Sequence, residues 1–176
     1  MPSLKLPPPP PALKRLALVT AVVFVVLLLI NLVLTKDQAP QGIISFQLAG
    51  TAEHSLQILA AWGEDGRFWA ALSLWMDYLF LVLYTATLVV FTSYLLSDRP
   101  GIRERKIGGW VKALFVAAGL ADAGENTFLL YNMGNPTDGL SMAATVMALM
   151  KFTGLLLGGA GLVVIRAERR RPLHTS

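Results

Sequence analysis

Residues 107–133 read IGGWVKALFVAAGLADAGENTFLLYNM, an apolar run that carries Asp122, Glu125 and Asn126 within five positions. A hydrocarbon core of about 30 Å is crossed by roughly 20 helical residues at 1.5 Å rise each. The length therefore predicts a membrane-spanning helix, and the polar residues inside it predict an intramembrane site. Three further apolar segments of similar or greater length lie at 13–34, 68–96 and 140–165. The breaks between the spans, TKDQAPQG, GEDGR, SDRPGIRERK and MGNPTDG, hold the glycine, proline and charge that end helices. Composition agrees: 55% of the 176 residues are hydrophobic and only 15% are charged, against about a quarter charged in globular domains. The expected architecture is an all-α integral membrane four-helix bundle forming one domain over 13–165.

The first span reads as an uncleaved anchor. Its apolar run is longer than the roughly 7 to 15 residues of a signal-peptide core, and no small-x-small cleavage site follows it. Ahead of it, residues 1–12 (MPSLKLPPPPPA) predict a disordered Pro-rich cytoplasmic tail; residues 166–176 form a basic tail. Eleven Lys and Arg residues fall in the two tails and the second loop, against Lys36 and Arg67 in the first and third loops. By the positive-inside rule both termini face the cytoplasm of a cell membrane. The net charge of +4 is carried by short clusters beside apolar runs, which predicts anionic lipid headgroups rather than nucleic acid as counterions.

In the first extracytoplasmic loop, ISFQLAGTAEHSLQILAAWGEDG places Glu53, Gln57 and Glu64 on one helical stripe and Leu56, Leu59 and Gly63 on another. With Thr51 as N-cap and Trp62 as aromatic anchor, it predicts a short interfacial helix lidding the bundle. The apolar residues before it, Ile43, Ile44, Phe46 and Leu48, leave a partly re-entrant path as the alternative.

The helical rise sets depths. Counting from the span ends, Asp77 lands near the depth of Glu125, and Lys151 near that of Asp122, to within about one turn of 5 Å. At 100° per residue, Asp122, Glu125 and Asn126 share an arc of about 100°. Lys151 shares its face with Gly154, Gly158 and Gly161, a small-residue stripe where helix backbones approach closely and where a second copy or a partner helix could dock. Asp77 shares its face with Tyr84. Four isolated charges at such depth cost on the order of 10 to 14 kcal/mol on insertion scales, so pairing is expected. One lysine cannot neutralise three carboxylates. The residual charge calls for protonation, a bound cation, water, or His54 or Lys36 folding in from above, with Glu53 and His54 as candidate lid residues.

Several chemistries are set aside. The chain has no cysteine, hence no disulfide framework, thiol nucleophile or thiolate metal site. No G-x-S-x-G elbow, H-E-x-x-H helix or phosphate-binding glycine loop occurs. Glu53 and His54 are adjacent and point about 100° apart on a helix, so they cannot share a metal ion; no metal or cofactor is expected.

The series Ala52-Glu53, Trp62-Gly63, Asp77-Tyr78-Leu79-Phe80 and Asp122-Ala123-x-Glu125-Asn126 resembles a group of uncharacterised bacterial four-span membrane proteins that carry these motifs in the same order. The resemblance covers about residues 45–157 and implies the four-span fold without an activity. On the residues themselves, the leading functional reading is a module that binds or moves a small cationic or amphipathic molecule or a proton. A lipid-modifying enzyme using a carboxylate as general acid or base, and an assembly partner whose charges form an interhelical salt-bridge network, are the alternatives.

Overall fold

The computed structural model of the chain describes residues 7–97 and 102–168. In order, they form α1 (Pro11–Leu34), α2 (Ile43–Gln47), α3 (Ala52–Leu96), α4 (Ile102–Gly134) and α5 (Asp138–Glu168). Four of these helices, α1, α3, α4 and α5, are long and apolar enough to cross a membrane, which marks the chain as a membrane protein.

Helix α1 opens on Pro11, two positions ahead of the expected boundary. Proline is tolerated there because a first-turn N–H has no intrahelical partner to lose. Of the Pro-rich segment, residues 7–10 are exposed and non-helical, and the Tyr94 hydroxyl donates to the Pro7 carbonyl. The expected disorder of residues 1–6, and the basic tail from 169 on, lie outside the described residues.

Helices α3, α4 and α5 pack mutually, while α1 leans chiefly on α3 and leaves Leu18, Leu29 and Leu32 well exposed. The bundle is thus a three-helix core with a peripheral fourth helix. The small-residue face of α5 explains the tightest contact. A Cβ built on Gly158 would lie 2.4 Å from the Phe115 ring, and one on Gly161 2.3 Å from Val111 Cγ2. Gly154 likewise abuts Ala118 and the Leu114 carbonyl. The helix packed on this face is α4 of the same chain.

In the first loop Thr51 caps a helix, its side chain accepting from the His54 backbone N–H at 3.3 Å. The short helix forms as expected, and at a kink on Gly63 the chain passes directly into the helix of the second span. Gly63 has φ 62° and ψ −165°, a conformation open essentially to glycine alone. The polar run Glu64, Asp65, Gly66, Arg67 stays helical because it contains no proline and leaves its charged residues exposed. Trp62 is no interfacial anchor. It is buried, stands edge-on to Phe46 with ring centroids 5.5 Å apart, and donates Nε1–H to the Leu34 carbonyl at 2.7 Å. The bond satisfies a carbonyl of the last turn of α1, which has no intrahelical donor. The buried stripe is accordingly Ser55, Ile58, Leu59 and Trp62, with Leu56 outside it.

Two apolar clusters brace the bundle at its ends. One joins Ile30, Leu34, Phe46, Ile58, Leu59, Trp62, Leu74, Leu129 and Ala144; the other joins Leu95, Val111, Phe115 and Ile165. Asp77 of α3, Asp122 and Glu125 of α4 and Lys151 of α5 lie between them in sequence along each helix, so this polar layer is held between apolar plugs.

Candidate functional site

The polar layer divides into two parts. In the first, the Lys151 ammonium of α5 reaches two carboxylates of α4, Asp122 Oδ1 at 3.0 Å and Glu125 Oε2 at 2.7 Å. Asp122 and Glu125 sit three apart, so a single turn of α4 presents both to one lysine. The Tyr84 hydroxyl of α3 donates to the remaining Asp122 oxygen, Oδ2, at 2.9 Å. All four side chains are buried: Lys151 retains 6% of its surface, Asp122 2%, Glu125 none. Three helices are tied together by these contacts, and the ion set carries a formal charge of minus one.

The second part faces a cavity. Asp77 of α3 accepts one hydrogen bond, from Asn126 Nδ2 at 2.8 Å, and has Asp122 and Lys151 as electrostatic neighbours. Among the described residues it forms no ion pair. One ammonium therefore stands against three carboxylates and pairs with two of them, leaving Asp77 without it. The cavity measures about 180 Å³. Its back wall comprises Ser73, Leu74, Asp77 and Asn126; Phe24, Leu28 and Asn31 of α1 form one side, Lys151 and Phe152 of α5 the other, and Ile43, Ile44 and Gln47 of α2 the cover. Phe24, Leu28, Ile44 and Phe152 are themselves exposed large apolar residues, so the rim of the cavity on α1, α2 and α5 is apolar. Asn126 is wholly buried, yet its Oδ1 receives no hydrogen bond; the same holds for Oε1 of buried Gln47.

Helix α2 takes its position from its neighbours. Asn31 accepts from the Ile43 backbone N–H at 2.8 Å, and Thr145 of α5 donates to the Gln47 carbonyl at 3.0 Å. The segment before residue 52 thus tucks against the bundle. Glu53 and His54 are exposed, and neither lines the cavity; the His54 ring lies 3.3 Å from the Ala49 carbonyl. Lys36 is exposed and its backbone pairs with Ala39. The cover is α2, not the stretch around His54. Among the described residues, no three His, Cys, Asp or Glu side chains are placed to hold a metal ion.

A further buried polar knot joins Ser55, Asn132 and Ser141. The two serine hydroxyls are 2.9 Å apart, and Asn132 Nδ2 donates to both at 3.1 and 3.0 Å. Asn132 Oδ1 also accepts from the Thr137 N–H at 3.1 Å. Its groups satisfy one another, and it clamps α3, α4 and α5 at the Trp62 end.

Sequence reasoning missed Asn31 and Gln47 as cavity residues. A signal existed for Asn31, the lone amide within VVFVVLLLINLVL, since a polar residue in a span faces protein or water. Gln47 carried none, because its burial depends on where α2 docks.

No family model matches the chain, and no curated protein or solved structure matches it either.

Proposed function

We propose that the protein binds a small cationic amphiphile in the cavity between α1 and α5, with Asp77 as its counterion. The observation that carries this reading is the placement of Asp77: it lines the cavity, while the one lysine buried among the described residues is engaged by Asp122 and Glu125. A cation there replaces the missing ammonium, and the apolar mouth accepts a tail arriving from the lipid phase. The inner set of Lys151, Asp122, Glu125 and Tyr84 supports a structural role, holding the three helices in register. Lys14, Arg15, Arg105, Lys106 and Arg166 are exposed at the end of the bundle where α1 and α4 begin and α5 finishes. That supports a cytoplasmic placement of this end against anionic headgroups, with the residue 52–62 helix at the outer surface.

The test compares octylamine and octyltrimethylammonium with octanol as stabilisers of the purified protein in lipid nanodiscs. Saturation at roughly 100 times Kd stabilises by about 2.7 kcal/mol, which raises Tm by roughly 5 to 11 °C for a chain of this size. At least one cationic compound is expected to give such a rise with the parent and not with Asp77→Asn, whereas octanol gives none. Equal responses from the parent and Asp77→Asn refute the assignment.

A further inference from the structure

We infer that the head group bound in this cavity is a protonated primary or secondary amine, not a quaternary ammonium. The inference rests on the reading of the cavity as a cation site and adds the chemistry of its head group. A carboxylate alone attracts either kind of cation, so discrimination has to come from the other atoms around it. Those atoms are acceptors. Asn126 Nδ2 donates to Asp77, and a carboxylate cannot donate in return. This fixes the orientation of the amide and turns Oδ1, which receives no hydrogen bond, into an acceptor by necessity. Gln47 Oε1 is a second buried acceptor without a donor, brought to the same cavity by α2. Lys151 supplies a cation, but its ammonium is directed to Asp122 and Glu125 at 3.0 and 2.7 Å. A head group carrying two or three N–H donors satisfies Asp77, Asn126 and Gln47 together. A trimethylammonium group matches the charge and leaves both amide oxygens buried without a donor, which is the costly case for polar groups.

Quaternary ammonium ions are recognised by open aromatic faces, best of all tryptophan. The rings lining this cavity are phenylalanines and not tryptophan, and each already makes a contact. Phe24 and Phe80 stack on one another at 5.6 Å with 23° between their planes, and Phe152 has the Lys151 ammonium 4.8 Å from its centroid. Size sets how much of the ligand enters. At about 30 Å³ per water-sized group, a cavity of about 180 Å³ holds an ammonium and the first few carbons of a chain. The rest of the tail leaves along Phe24, Leu28 and Phe152.

The experiment titrates octylamine and octyltrimethylammonium, identical in chain length, into the full-length protein in nanodiscs, with Kd read by calorimetry. Octylamine is expected to bind at least tenfold more tightly. Gln47→Met, which keeps the side chain's length without its acceptor, is expected to weaken octylamine several-fold and leave octyltrimethylammonium unchanged. Octyltrimethylammonium binding as tightly or more tightly, with its binding still lost in Asp77→Asn, overturns the inference and leaves the cation site standing. Failure of both compounds, or binding indifferent to Asp77→Asn, overturns the cation site and the inference with it. The primary comparison uses the unmutated chain, so it does not depend on any variant folding.

Discussion

Replacing Lys151 by Met gives the sharpest test of how the polar layer is held. Hydropathy alone predicts a benefit, because removing a cation from the middle of a span saves about 2.5 to 3.5 kcal/mol on insertion scales. That saving applies to inserted α5 whether or not it is packed, so it largely cancels in the folding step. What remains is the loss of two ionic contacts, at 3.0 and 2.7 Å, to carboxylates that are 2% and 0% exposed. Removing one partner of a buried ion pair costs about 3 to 5 kcal/mol, because the other is left charged in a poorly polarisable surrounding. At roughly 2 to 4 °C per kcal/mol, the expected fall in Tm is roughly 6 to 20 °C, measured by circular dichroism in maltoside micelles. The triple variant Lys151→Met, Asp122→Asn, Glu125→Gln removes the charges together and is expected to recover most of that loss. A single variant melting within about 2 °C of the parent, or a triple variant no more stable than the single, would refute the claim that Lys151 compensates buried carboxylates; about 1 kcal/mol is the most such a shift represents.

Two further expectations concern packing. Gly158→Leu drives a side chain into the Phe115 ring, which a Cβ alone would already meet at 2.4 Å; overpacking of this kind costs about 1 to 3 kcal/mol or more. Melting temperature should fall while the mass of the purified particle stays the same, and a change of oligomeric state at unaltered stability would contradict an internal partner. Trp62→Phe keeps an aromatic ring, though a smaller one, and removes the bond to the Leu34 carbonyl. The expected loss is about 1 to 3 kcal/mol, with faster amide exchange in residues 43–62 than in the parent; unchanged exchange there would show that the indole N–H does not anchor the loop.

By itself the sequence determined that four segments are long and apolar enough to cross a membrane, and the positions along them at which Asp77, Asp122, Glu125 and Lys151 lie. Both follow from the fixed rise of the helix and the thickness of the hydrocarbon it must cross. It also determined that Gly154, Gly158 and Gly161 form one close-packing face, since their spacing repeats with the helical turn. Only the tertiary structure decided that α4 fills that face, that Lys151 serves Asp122 and Glu125 while Asp77 is left to Asn126, and that α2 carries Gln47 over the cavity. It also decided that the loop before the second span is a helix bent at Gly63, with Trp62 turned inward to an α1 carbonyl. The reason is that lipid is as apolar as the side chains that face it. Inside a bilayer, hydropathy cannot choose which helix face meets which, so that choice falls to the shape fit and hydrogen bonds of particular side chains on neighbouring helices.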